Sequence, residues 1–393
     1  MSLSRRTLLR VAPLTAVLLA TRGVRIPQAR ADEKVVAPDG TFPGMIVRME
    51  EPRNLEFPFP HLKSWKTPSE HFYVRNHFAV PEIDAKTFRV TVSGHVENKL
   101  DLSLDDIRRM EQVTKPLTME CAGNGRVHLV PAARGLQWGE GAVGNAEWTG
   151  VPLAAILERA RVKKGAVEVL LVGADKGAIA ADPATPGAIH FDRSLPLEKA
   201  LKPEVLLAHK MNGEDLSPAH GFPLRAVVGG WFGMASVKWL TRIVVLDRPH
   251  GGYWQTMDYS YFVRRDGEVP TLVPLTAMQP KASISRPALD EIVPASKPYR
   301  VFGAAWSGES AVKKVEISLD GGATWQVAEL EGKAVPFCWR LWTFTWNVPA
   351  KPGRYQIVAK ATDEAGNSQP EKRDPDRRSY MINHLVPVAV QVK

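Results

Sequence analysis

The chain is 393 residues long, 44% hydrophobic and 24% charged, with only two cysteines. That length gives room for a sizeable core in roughly two domains. The formal charge of +9 sits largely in the first 31 residues, which hold six arginines and no acid; without them 45 Lys+Arg face 42 Asp+Glu, about +3. This near-balance, and the lack of a basic run interleaved with aromatics, excludes a nucleic-acid binder. After residue 31 no apolar run reaches eighteen residues, so no membrane span is expected in the mature chain.

The N-terminus reads as an export leader. Paired arginines in "SRRTLLR" (Ser4 to Arg10) precede a ten-residue apolar run, Val11 to Ala20, and then Ala29-Arg30-Ala31. That is a basic region, a short apolar region and a small-residue cleavage signature, with cleavage expected after Ala31. The Arg-Arg pair before Leu-Leu resembles the twin-arginine signal, with an ordinary secretory leader as the alternative. The expected destination is the periplasm. There, two cysteines permit one disulfide, although Cys121 and Cys338 are 217 positions apart.

Residues 32 to about 68 are rich in proline and charge and read as an extended entry segment. "FRVTVSGHV" (Phe88 to Val96) alternates at period two and breaks at Gly94, a strand. "SLDDIRRM" (Ser103 to Met110) opens on a capping serine with acids behind it, a short helix. "PLAAILERARV" (Pro152 to Val162) is a second helix with proline at its first position. "VEVLLVGAD" reads as a buried strand ending at Asp175. Residues 32–275 are thus one α+β domain. From Lys281 the pattern is strands alone: "KKVEISLDGGATWQVAEL" is a hairpin turning at Asp320-Gly321-Gly322, and "RYQIVAKATDEAGN" is another alternating strand. Residues 281–393 therefore read as an immunoglobulin-like sandwich. No repeat of 20–50 residues and no low-complexity tract is present.

Chemistry-bearing residues cluster in a few stretches. "LTMECAGNGR" places Cys121 between a strand and a glycine-rich turn, with Arg126 five residues on. That thiol is open to four readings: half of a disulfide, a nucleophile, a buried filler or a metal ligand. "YVRNH" joins Arg75, Asn76 and His77; "HGFPLR" carries His220 and Arg225; "SVKW" adds Ser236 and Lys238. Between the last two lies the glycine-rich apolar run "AVVGGWFGMA", suited to close backbone approach. Cations around a crevice short of acids call for a bound anion.

"FYVRNHFAVP", "TMECAGNGR", "GAVGNAEWTGVPL", "EVLLAHKMNGEDLSPAHGFPLR", "ASVKWLTRI" and "YWQTMDY" resemble, in that order, the sulfite oxidase family of molybdenum enzymes. "AAWSGESAVKKVEISLDGGATWQ" resembles that family's dimerisation domain. The resemblance implies an α+β molybdopterin domain followed by an all-β sandwich, usually in a homodimer. It implies that Cys121 ligates molybdenum beside the pterin dithiolene, which suits a soft thiolate that the metal keeps deprotonated. Tyr73, Val74, Arg75, Asn76, His77, Asp175, His220, Arg225, Ser236, Val237 and Lys238 would contact the molybdopterin cofactor. Arg75, Arg126 and Arg340 would receive a small oxyanion, Tyr259 would be the active-site tyrosine, and Trp138 would stand in the pocket wall. The implied reaction is oxidation of sulfite to sulfate, two electrons leaving in single steps.

No C-x-x-C-H haem attachment and no cytochrome b5 domain is present, so a separate periplasmic cytochrome c is the expected acceptor, with no haem in this chain. A second arginine of the family's "CAGNRR" form is glycine here, Gly125. The alternatives are a nitrate or sulfoxide reductase of the same fold, or a degenerate periplasmic anion-binding protein. Cys338 has no assigned role.

Overall fold

A computed structural model describes residues 44–393. The expected leader, its cleavage point and residues 32–43 of the entry segment lie outside the described residues. The rest of the entry segment is more ordered than its prolines suggest. Ile46–Met49 and Asn54–Glu56 form an antiparallel hairpin, and Met45 and Leu55 are fully buried.

Two five-stranded sheets build the first domain. One is antiparallel and joins Val113–Glu120, Val143–Pro152 and Val205–Met211, with Glu214–Asp215 and Arg225–Val228 both on the last of these. The other runs in the order Leu100–Ser103, Arg89–Gly94, Leu240–Leu246, Glu168–Gly177, Ile189–Pro196, with one parallel pair at its centre. Helices are few and short. Leu104–Arg109 starts as its sequence dictates: Ser103 Oγ accepts from the Asp106 amide while the Asp106 carboxylate accepts from the Ser103 amide. The second helix, Leu153–Ala160, begins one residue later than expected, with Pro152 just outside it. Among the described residues no helix is long and apolar enough to cross a membrane.

The strand expected to end at Asp175 continues to Gly177 through a bulge between Val172 and Lys176. Asp175 therefore points from an irregular stretch. A Cβ at Gly173 would stand 2.5 Å from its Oδ1, so only glycine lets the carboxylate fold back.

The C-terminal domain is a sandwich. Lys281–Arg286, Pro298–Trp306, Arg340–Asn347 and Glu329–Leu330 form one antiparallel sheet. Ile292–Val293, Val388–Val392, Gly353–Asp363, Val312–Ser318 and Gln326–Val327 form the other. Val301, Val315, Ile317, Trp342, Ile357 and Val390 are fully buried between them. The expected hairpin is Val312–Ser318 with Gln326–Val327, its turn held by Asp320, which accepts from the Thr324 amide and hydroxyl.

The sandwich is stitched onto the cysteine-bearing strand. Trp306 Nε1 donates to Glu120 at 2.9 Å, the Thr118 amide to the Phe337 carbonyl at 2.9 Å, and the Met381 amide to the Ala122 carbonyl at 2.8 Å. Trp306, Trp339, Tyr380 and Met381 share one hydrophobic core with Val143, Leu224 and Trp254 of the first domain.

Candidate active site

Cys121 stands where the strand Val113–Glu120 breaks into a tight turn. The Cys121 amide is fixed by the Ala142 carbonyl at 2.8 Å, and its own carbonyl accepts from Asn124 at 2.9 Å. Asn124 in turn caps Ala142 through Oδ1 and donates to Glu120 at 3.1 Å. Gly125 closes the turn with φ +89° and leads into the short 3-10 turn Arg126–His128. The turn thus presents a buried thiol and a buried arginine from one rigid loop. Both cysteines are free. Cys338 donates to the Pro116 carbonyl at 3.1 Å and its thiol is pushed up to about 12 by burial, an inert filler.

Two cavities meet at Cys121. The inner one, about 60 Å3, is lined by Tyr73, Arg75, His77, Asp175, His220, Arg225, Ser236, Lys238 and Tyr259. The outer one, about 1110 Å3, shares Arg75, His77, Cys121 and Tyr259 and adds Asn76, Arg126, Arg134, Asp258, Arg378 and Tyr380.

On the inner side Arg225, Lys238 and His220 stand with one acid, Asp175. Arg225 is held by the carbonyls of Ala226, His220 and Ser236 over the face of Trp148. Lys238 donates to the Ala219 carbonyl and to Asn76, over Trp239. Burial, then Arg225, drives the Lys238 ammonium well below its ordinary range. Burial, then Lys238 and Arg225, lowers His220 to about 3. Asp175 is raised to about 7 by burial, and its buried Oδ1 has no hydrogen-bond partner.

On the outer side the arginines are aimed by backbone oxygens. Arg126 donates through Nε to Ser379 at 3.1 Å and through Nη1 to Leu136 at 2.8 Å, with Tyr380 beneath it. Its Nη2 lies against Gly123, free of protein acceptors among the described residues. Arg378 donates through Nη1 to the carbonyls of Met257, Asp258 and Ser260. Tyr259 and His77 are 2.8 Å apart, Oη to Nε2. Burial, then Arg75 and Lys238, keeps His77 well below the usual imidazole range, so it is neutral. Burial raises the Tyr259 phenol, so it keeps its proton. Burial likewise raises the Cys121 thiol, opposed by Arg75 and Arg126.

The structure brings most of the expected residues together and corrects four. Val74 is spent in the core: its amide and carbonyl both pair with Leu55. Val237 is also in the core, its carbonyl accepting from Ala226. Neither lines a cavity. Arg340 is not at the site. Its guanidinium is held by the carbonyls of Glu331 and Gly332, and it lines neither cavity that meets Cys121. Trp138, expected in the pocket wall, is fully buried in the hydrophobic cluster behind Cys121. Arg378 and Tyr380 were not foreseen; their only sequence signal is the basic stretch "RDPDRRSY". The glycine at position 125 faces a cation that is already paired. A Cβ there would lie 3.2 Å from the Lys281 ammonium, which reaches in from the sandwich to Glu120 at 3.4 Å and Glu140 at 3.6 Å.

The donor set fits a metal that arrives with its own organic ligand. Among the described residues no group of three His, Cys, Asp or Glu could hold a metal ion unaided, so Cys121 can supply one ligand and no more. Beside it, the buried basic groups suit a phosphate and the orphaned Asp175 oxygen suits a ring N–H. Fold and site together define the class, a molybdopterin-binding oxidoreductase. Residues 77–254 match the oxidoreductase molybdopterin binding domain and residues 274–393 the Mo-co oxidoreductase dimerisation domain. The chain is 36% identical to mitochondrial sulfite oxidase of Rattus norvegicus over 89% of its own length and 66% of that protein's. To sulfite oxidase of Gallus gallus it is 34% identical, over 91% and 82%. Its fold superposes on the sulfane dehydrogenase SoxCD of Paracoccus pantotrophus with a TM-score of 0.74 at 28% identity, covering 86% and 84% of the two chains. The chain belongs to the sulfite oxidase family. It spans about two thirds of the length of the rat relative.

Proposed function

We propose that this protein oxidises sulfite to sulfate at a molybdenum–pterin centre and passes the electrons to an external cytochrome c. The observation that carries the reading is the placement of one buried thiol between a phosphate-type anchor and a cavity with arginines. Cys121 would hold the metal; Arg225, Lys238, His220 and Ser236 would hold the pterin and its phosphate, with Asp175 taking a ring N–H. When bound, that group supplies a two-electron oxidant able to transfer oxygen to sulfur.

The protein's own residues do the rest. The outer arginines raise the local concentration of a small dianion. Arg126, with two donors fixed on carbonyls, packs its Nη2 against Gly123 in the turn that begins at Cys121, at the edge of the outer cavity. A planar guanidinium orients an oxyanion in a way an ammonium does not. Tyr259, neutral, donates to His77 in the tautomer with its proton on Nδ1. With its own proton given to His77 in that hydrogen bond, the Tyr259 oxygen is left to accept a hydrogen bond from a protonated oxyanion or a water, and neither side chain carries a charge. Release of electrons in single steps to an external partner is part of this reading. Export as a folded, cofactor-loaded protein through the twin-arginine route, a periplasmic location and a homodimer built on the sandwich belong to the same reading. The dimerisation-domain match supports the last.

Metal analysis of the purified protein, with sulfite-dependent reduction of cytochrome c, tests it. Near-stoichiometric molybdenum and sulfite-dependent turnover are expected. A molybdenum-loaded protein inert to sulfite would overturn the substrate, and a protein unable to take up molybdenum would overturn the chemistry.

A further inference from the structure

An acid sits among the arginines of the outer cavity, and something must keep it from consuming their charge. Asp258 lines that cavity with Arg75, Arg126 and Arg378 and is only half-buried. A carboxylate in that position competes directly with an incoming oxyanion, because both seek the same guanidinium donors. The Asp258 side chain instead accepts a 2.6 Å hydrogen bond from the Tyr380 hydroxyl. No ion pair joins Asp258 to a cavity arginine among the described residues; Arg378 takes only its backbone carbonyl.

Tyr380 is built to hold this arrangement. Its backbone is anchored on both sides: Arg373 donates to its carbonyl, and the next amide, Met381, donates to Ala122 beside Cys121. Its ring lies 5.0 Å from that of Tyr259 and 5.3 Å beneath the Arg126 guanidinium. The residue just before it, Ser379, accepts from Arg126 Nε. One side chain therefore touches the acid, the arginine and the active-site tyrosine together, with its hydroxyl spent on the acid.

We propose that Tyr380 is a positioning residue that sequesters the Asp258 carboxylate, and that it thereby keeps the outer arginines free for the substrate anion. The inference rests on the sulfite-oxidising reading for its choice of substrate, while its logic requires only that a small oxyanion binds there. Removing the hydroxyl releases the carboxylate to pair with a neighbouring guanidinium. The anion then binds against an internal competitor, which raises KM while the chemistry of bound substrate is unaffected.

The test uses the molybdenum-loaded full chain as wild type, Y380F and Y380F/D258N. The steady-state constants for sulfite are measured, and sulfate affinity is measured by calorimetry on the same preparations. Y380F is expected to raise the sulfite KM and weaken sulfate about tenfold, the worth of one charge-assisted contact, with kcat within about twofold of wild type. Removing the competing charge in Y380F/D258N should return both constants to within about threefold of wild type. A tyrosine that merely braces the fold would lower kcat or stability in Y380F and gain nothing from the second change. That result, an unchanged KM, or a Y380F protein that fails to fold would each overturn the proposal. If the wild type proves inert to sulfite, the functional reading fails alone, and the sulfate affinities still decide the role of Tyr380.

Discussion

Replacing Lys281 with methionine should destabilise the protein by about 3–5 kcal/mol, the cost of breaking a buried pair while its acid stays behind. Lys281 is 5% exposed and enters the first domain from the opening strand of the sandwich. Its ammonium lies 3.4 Å from Glu120 and 3.6 Å from Glu140, and it donates to the Asn124 carbonyl at 3.2 Å. Glu120 is 3% exposed. Burial already raises its carboxyl, with Lys281 the strongest opposing influence. Without the cation, Glu120 either stays charged in an apolar site or takes up a proton. The penalty should therefore be largest near pH 8 and shrink toward pH 5, where a neutral carboxyl needs no partner. Urea denaturation at both pH values measures it, with the slope checked for constancy. Lys281→Met/Glu120→Gln should recover at least half of the loss, since the stranded charge is gone. A single variant that loses under about 1 kcal/mol, or a double variant with no recovery, would refute the argument that Lys281 compensates a buried acid beside Cys121.

Other outcomes follow from the same geometry. Cys121→Ser should keep its thermal midpoint within a few degrees, because the turn is held by backbone bonds, yet lose nearly all sulfite turnover and its molybdenum content; retention of both would remove Cys121 as the ligand. Arg340→Ala should leave the sulfite KM unchanged, whereas Arg378→Ala should raise it at least tenfold; steady-state kinetics on the two variants decide which arginine serves the anion. Arg126→Lys should lower kcat/KM by about two orders of magnitude, since an ammonium cannot keep both carbonyl bonds and still present a donor. His384 is lowered to about 4, by burial first and then by Arg373, His128 and Lys281. Above pH 6.5 neither the folded nor the unfolded chain protonates it. As pH falls from 6.5 to 4 the unfolded chain takes a proton that the folded one refuses, so stability is lost. The ring is only partly buried, so screening limits the effect to about 1 kcal/mol. His384→Gln should flatten the acid limb of the stability profile by that amount, and a superimposable profile would count against it.

Local features were legible because their causes are local. The Ser103 cap, the Asp320-Gly-Gly turn and the alternation of Val315 and Ile317 need only neighbouring residues to declare them. The inner side of the site was readable for a related reason: His220, Arg225, Ser236 and Lys238 fall within 19 consecutive positions around a glycine-rich run. The outer side was not, because its arginines are selected by long-range contacts. Arg126 is aimed by carbonyls of Leu136 and Ser379, the second of them 253 positions away. Arg340 shows where a cation near a cysteine misleads, and also what could have corrected it. It follows Trp339, which is fully buried against the first domain and bonded to Trp65. The strand begins only at Arg340, which shares a strand face with Trp342 and Trp346 of the sandwich's own core and so points away from the cysteine. The cation that does serve the cavity comes from the later return of the chain at Arg378, between the strands Gly353–Asp363 and Val388–Val392. The second domain is thus part of the site: it contributes the Ser379 carbonyl that aims Arg126, the Tyr380 ring beneath it, and the Lys281 charge behind Cys121. A change that loosens the seam between the domains should therefore weaken anion binding before it disturbs the inner basic cluster, whose contacts are made within the first domain.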